Sequence, residues 1–205
     1  MDQRRPPILH DLLAATALAA LVASGIAPYD RLTWVLEVVW VAGALALYPF
    51  FRSARRPTTL LMVLLTVHAL LLVWGGFHTY ERVPLGEWMK GWFGFQRNHY
   101  DRIGHLAQGF VPAILARETL LRNAAVRRGG WLWLTVVSIC LAFSALFELI
   151  EWAAAVTLGD GSTAYLATQG DVWDAQKDML CALIGANAAL LLLGRVHDRQ
   201  LGACR

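Results

Sequence analysis

Three groups of polar residues in this chain have the types and spacing needed for metal or acid–base chemistry. Asp101, His105 and Gln108 fall at i, i+4 and i+7, on one face of a helix. Glu148 and Glu151 fall one helical turn apart inside an apolar run. Asp171, Asp174 and Asp178 follow at i, i+3 and i+7, and form one acidic stripe if a helix begins that early. Carboxylates with one or two imidazoles suit zinc, manganese or iron, whereas carboxylates and water alone suit magnesium or calcium. Beside a divalent cation, a glutamate would act as general base on a metal-bound water, with His105 as ligand or acid. The candidate catalytic residues are therefore Glu148, Glu151 and His105. The candidate metal ligands are Asp101, His105, Glu148, Glu151, Asp171, Asp174 and Asp178. Gln108, His78 and Glu37 are further polar candidates. Protonation, or pairing with Arg97, Arg102, Lys177 or a charged histidine, would neutralise the same carboxylates without a cation.

The surroundings of these residues are apolar. The chain of 205 residues is 57% hydrophobic and 16% charged, with a mean hydropathy of +0.47, whereas average soluble domains carry roughly 25% charged residues. Disorder is excluded, since it requires low hydrophobicity and high charge. Cys140, Cys181 and Cys204 are too few and too scattered for a disulfide framework or a zinc knuckle. A net charge of +3 spread along the chain offers no nucleic-acid groove. What remains is an all-α polytopic membrane protein whose partners are membrane lipids.

A membrane-crossing helix needs about 20 mostly apolar residues. Six stretches qualify: residues 12–26, 33–50, 58–77, 103–116, 130–157 and 178–193. The first and fourth are short, and the fourth contains Pro112. The turn APYD at 27–30 makes the first two antiparallel neighbours, and RSARRP at 52–57 is a short basic turn. Residues 78–102 are aromatic, with Trp88, Trp92, Phe93 and Phe95, and read as a segment at the lipid–water interface. Residues 159–176 read as a polar cap. No internal repeat divides the chain, so residues 1–205 form one transmembrane domain. A second reading takes Arg4, Arg5 and the first apolar run as a cleaved signal peptide, leaving five spans; the later loops fit six.

Arginine and lysine set the orientation. With the N-terminus inside, twelve fall on the cytoplasmic side: Arg4, Arg5, Arg52, Arg55, Arg56, Arg117, Arg122, Arg127, Arg128, Arg195, Arg199 and Arg205. Six fall outside: Arg31, Arg82, Lys90, Arg97, Arg102 and Lys177. Both termini are then cytoplasmic, and the polar groups gather at the outer ends of five spans. A charge turned to lipid costs about 2.5–3.5 kcal/mol at the span centre on insertion scales, so the stripes are expected to face one another. On the same grounds His68 reads as structural, and His10 and His197 as membrane-edge residues.

Three motifs carry a resemblance to a known family. RNHYDRIGHLAQGFVP at 97–112, FELIEW at 147–152 and GDVWDAQKDM at 170–179 closely resemble, in the same order, the YjdF-like family of bacterial inner-membrane proteins of unknown function. The resemblance covers most of the chain and implies an inner-membrane location without an activity. A weaker resemblance is to VanZ-like membrane proteins, associated with glycopeptide resistance. Asp101, Arg102 and His105 match their Asp-Lys-x-x-His element with Arg for Lys, Glu148 matches a later glutamate, and Asp174, Asp178 and Gly185 match a final helix loosely. Glu151 and the long outer loops depart from that pattern, so it informs only the order of the polar elements.

Three functions compete. The first is metal-dependent chemistry on a lipid or envelope substrate. The second is binding or proton-coupled transport of a small solute, since intramembrane carboxylates mark such pathways; a homodimer would supply the second half that a transporter of this size lacks. The third is a structural or partner-docking membrane protein in which polar stripes hold helices together, at about 0.6 kcal/mol per hydrogen bond. In that third reading Asp171 or Asp174 simply caps the last helix.

Overall fold

Long apolar runs separated by short polar turns leave the backbone one way to satisfy itself in lipid, which is helix. The computed structural model describes residues 8–54, 56–158 and 168–203, and among these there are helices and no strands. The order is α1 (Ile8–Ser24), α2 (Arg31–Ala54), α3 (Thr59–His78), a single 3-10 turn (Tyr80–Arg82), α4 (Pro84–Phe93), α5 (Tyr100–Arg122), α6 (Gly130–Leu158) and α7 (Asp174–Ala203). Of the polar connection between α6 and α7, residues 159–167 lie outside the described residues, as do Arg4, Arg5, Arg55, Cys204 and Arg205.

Local chemistry starts and stops these elements. The Asp30 carboxylate accepts the Thr33 amide at 2.7 Å and opens α2. Thr58 caps α3 through its hydroxyl, which accepts the Leu61 amide. Pro84 stands in the first turn of α4, and Gly94, at φ +68°, ends it in a left-handed conformation open to glycine. Four helices, α2, α3, α6 and α7, are long and apolar enough to cross a membrane, and α1 is a shorter apolar helix. The aromatic segment forms the 3-10 turn and α4 rather than a further span.

The fourth apolar stretch behaves differently from its neighbours. Residues 103–116 grow into the 23-residue α5, and Pro112 does not end it. This helix carries Asp101, Arg102, His105, Arg117, Glu118 and Arg122 and is the most polar of the long helices. It tolerates them because it is central: α3, α6 and α7 all pack on it, while α1 and α2 pack on α3. Asp101, His105, Arg117 and Glu118 are all buried. Exposed apolar side chains lie elsewhere, for example Leu191 and Leu192 on α7 and Trp131 on α6.

The closest helix pair is α5 with α7, and small residues make it so. A Cβ on Gly109 would run into the Ala182 backbone, and one on Gly185 into the Leu106 carbonyl. Ala113, Ala182, Ala186 and Ala189 are fully buried in the same seam. Without bulky side chains between them the backbones approach closely, as in membrane interfaces built on small residues.

At the end of the bundle holding the C-terminal half of α5, a buried network locks three helices. The Glu118 carboxylate accepts the Thr58 amide at 3.0 Å, the Thr58 hydroxyl at 2.7 Å and Arg122 Nε at 2.8 Å. His197, fully buried on α7, lies 3.0 Å from Glu118 through Nε2 and 2.9 Å from Arg117 through Nδ1. Guanidinium can only donate, so Nδ1 is the acceptor and Nε2–H donates to Glu118. His10 is buried too and pairs with the Thr59 hydroxyl at 3.2 Å. Both histidines are therefore packed inside the protein, His10 at the start of α1 and His197 in the last turns of α7. Glu118→Ala strands three buried donors at once, and is expected to lower folding stability by about 3–5 kcal/mol. Reversible unfolding in detergent would show this; a loss no larger than that of an exposed alanine substitution would contradict it.

Candidate functional site

The opposite end of the bundle is built by three helices and one loop. Because α5 and α7 meet backbone to backbone, the first turns of the two helices are side by side. Asp101 and His105 of α5 thus face Asp174 and Asp178 of α7, and α6 brings Glu148 alongside. Asn98 pins the loop before α5. Its backbone amide donates to Gln169 Oε1 at 2.8 Å, and its buried side-chain amide donates to Val83 O and Glu87 Oε1 at 3.0 Å each.

Two arginines fill the space between the aspartates. Arg97 reaches Asp174 at 2.6 Å and Asp171 at 3.4 Å, and Asp101 at 3.7 Å. Arg102 pairs with Asp174, Asp178 and Asp171, and approaches Asp101 at 3.7 Å. Asp171 lies at the rim, where Lys177 Nζ approaches to 2.6 Å and the Trp173 amide donates to it. Lys177 foremost, then the Trp173 amide, hold its carboxyl down to about 2. A carboxyl depressed in the folded state stabilises fully above its ordinary range and loses that contribution as pH falls through the lowered value. The folded fraction should therefore soften between about pH 4 and about pH 2, and Asp171→Asn should remove that part of the acid limb in a circular-dichroism titration. An unaltered acid limb in the variant would show that the pair contributes nothing.

His105 occupies the centre. Its Nδ1 lies 2.9 Å from Gln108 Oε1, one turn along the same helix. With the amide oxygen accepting, Nδ1 carries a proton, and in the neutral ring Nε2 presents its lone pair. Nε2 faces three carboxylate oxygens on three helices: Asp101 Oδ1 at 3.5 Å, Glu148 Oε1 at 3.7 Å and Asp178 Oδ1 at 3.9 Å. These distances are too long for hydrogen bonds. Ligand atoms about 2.1 Å from a tetrahedral cation stand about 3.4 Å apart, which is close to this spacing. One ligand atom each of Asp101, His105 and Asp178 lie within 4.8 Å of one another, all three residues buried. Glu148 Oε1 is buried and accepts no hydrogen bond.

A cavity of about 210 Å³ adjoins this cluster, between α2, α3, α5 and α6. Asp101, His105, Gln108, Glu37 and Glu151 line it together with Trp40, Leu72, Phe143 and Phe147. Glu37 is buried and lines the cavity together with Tyr80. Tyr80 itself slots between Gly75 and Gly104, where a Cβ on either would strike its ring. Glu151 shares this cavity with the carboxylates of Asp101 and Glu37. Pro112 lacks an amide hydrogen, so the Gln108 carbonyl has no helical donor beside the cavity.

The expected site residues thus fall into three sets. Asp101, His105 and Asp178 converge on one point, with Glu148 Oε1 3.7 Å from His105 Nε2 and Arg102 also paired with Asp178; Glu37, Gln108 and Glu151 stand around the cavity beside it; Asp171 and Asp174 are engaged by the arginines. His78 stands apart, its ring edge-on to Phe77 at 4.9 Å. Tyr80 and Trp40 join the cavity without any signal in spacing or charge, because their roles depend on where α3 and α2 pass. His68, read as structural, also reaches the cavity wall.

The family described as "Predicted membrane protein (DUF2238)" matches residues 9–199. "Inner membrane protein YjdF" of Escherichia coli (strain K12) is 43% identical over 203 residues, which cover 98% of this chain and 96% of that protein. No solved structure matches the chain.

Proposed function

We propose, for a chain that belongs to the DUF2238 family of predicted membrane proteins, a divalent-cation site that serves chemistry on a lipid or envelope substrate. The protein belongs to the inner membrane, as its relative does. In this reading α1, α2, α3, α5, α6 and α7 are six spans with both termini in the cytoplasm. The twofold excess of arginine and lysine at the Glu118 end supports that orientation. The His105 cluster then opens toward the periplasm.

The observation that carries the reading is His105 Nε2 facing Asp101, Glu148 and Asp178 at 3.5–3.9 Å. Such a donor set, one imidazole with carboxylates, suits manganese, zinc or iron. Gln108 would fix the imidazole from behind, as partners of metal-bound histidines do. A cation there supplies Lewis acidity and an acidified water. Glu151, within the same cavity and outside the ligand set, is placed to hold the proton released.

Metal analysis of the full chain, purified in detergent without chelator and then offered manganese, zinc or ferrous salts, tests this. About one equivalent per chain is expected, lost on chelation and as pH falls, because ligands must be deprotonated. Folded protein that retains none of the three metals would overturn it.

A further inference from the structure

We infer that the cavity beside His105 takes the acyl chain of a membrane lipid, admitted sideways between α2 and α6. This rests on the cation-site reading for what happens at the polar end, but its own evidence is separate.

First, α2 and α6 both flank the cavity and yet do not pack backbone on backbone. Side chains bridge them instead: the Trp40 ring meets Phe143 at 5.9 Å and Phe147 at 6.3 Å. Trp40 and Phe143 remain 39% and 44% exposed, so the cavity's apolar wall is also part of the outer surface. Trp40 lies nine residues into α2, about 14 Å along its axis, which is hydrocarbon depth if α2 spans. The phase outside this gap is therefore lipid chains.

Second, the lining is of both kinds: Trp40, Leu72, Phe143 and Phe147 are apolar, and Asp101 and His105 are polar. A lipid likewise has both. Its chain would lie against the aromatic rings, with a headgroup oxygen toward His105.

Third, His68 lines the cavity, and its Nε2 is buried with no hydrogen-bond partner among the described residues. An orphaned buried polar atom costs about 1–3 kcal/mol. A bound lipid that brings a carbonyl or hydroxyl to that depth would satisfy it. A water-soluble solute would not account for the opening toward lipid, and a second protein helix in the gap would cover Trp40.

The full chain would be reconstituted into vesicles of phosphatidylethanolamine and phosphatidylglycerol carrying a diazirine on one acyl chain, irradiated, and mapped by mass spectrometry. Adducts are expected at His68 and Leu72 as well as at Leu191 and Leu192, which are 70% exposed on the far surface of α7. Leu72→Trp, which fills the cavity, should cut the His68 adduct about tenfold and leave Leu191 unchanged, since a filled pocket has no volume for a chain. Labelling at Leu191 without labelling at His68 and Leu72 overturns the proposal, as does a His68 adduct indifferent to Leu72→Trp. If that variant does not fold, the wild-type map decides alone. Metal content measured on the same samples separates the two readings. Adducts without metal would leave the lipid pocket standing and end the cation site; metal without adducts would do the reverse.

Discussion

Asp178→Asn is expected to abolish retention of a divalent cation while leaving the helical content of the protein intact. Asp178 Oδ1 is one of three oxygens facing His105 Nε2, and it reaches the cluster from a different helix than Asp101. Removing its charge leaves Arg102 its contacts with Asp174 and Asp171, so the loop and α7 keep their anchors. Asp178→Glu should recover part of the binding, because the charge returns even though the reach changes. Gln108→Ala should weaken the metal about 10–100-fold, the usual effect of removing the partner behind a ligating histidine. Competition with a chelator, read by metal analysis, measures all three. Equal retention in wild type and Asp178→Asn would place the cation elsewhere or nowhere, and equal retention in Gln108→Ala would deny Gln108 its supporting role.

Gly185→Leu is expected to separate α5 from α7 and remove both the fold and the site. The added side chain would meet the Leu106 carbonyl and the Phe110 amide, which are backbone atoms of a central helix and have no rotamer by which to move aside. Overpacking a core costs about 1–3 kcal/mol when side chains can adjust; a backbone collision should exceed that range. Gly109→Leu should behave alike, since Ala182 stands in its way. Gly194→Leu, on the same helix but with nothing near it, is the control and should be neutral. Folded yield by size exclusion in detergent reads the difference. If Gly185→Leu elutes as the wild type does, the tight α5–α7 seam is not what holds Asp101 and His105 against Asp178.

Much of the helix layout was legible beforehand because lipid imposes length and apolarity on each crossing. Four of the six apolar stretches fall wholly inside helices, and the other two overrun theirs by one or two residues, at 25–26 after α1 and at 58 before α3. The ends were harder to read. The last stretch was expected to stop at 193, but α7 continues to Ala203, because His197 and Asp198 find partners in Arg117 and Glu118. A polar run reads as a helix end only when its partners are unknown. The same blindness hid the partners of His10 and His197. In the site, spacing alone grouped Asp101 with His105 and Gln108, since one helix carries all three. It could not separate Asp178, at the centre, from Asp171, at the rim with Lys177, because both belong to a single stripe.

By itself the sequence determined that this is a helical membrane protein, since so apolar a chain has no other stable state, and that its carboxylates cannot face lipid. Which of them meet was decided only by tertiary structure. The meeting depends on the approach of α5 to α7, which Gly109 and Gly185 allow, and on the rotation of α6 that turns Glu148 inward. Those are properties of pairs of helices, and helical periodicity reports on one helix at a time.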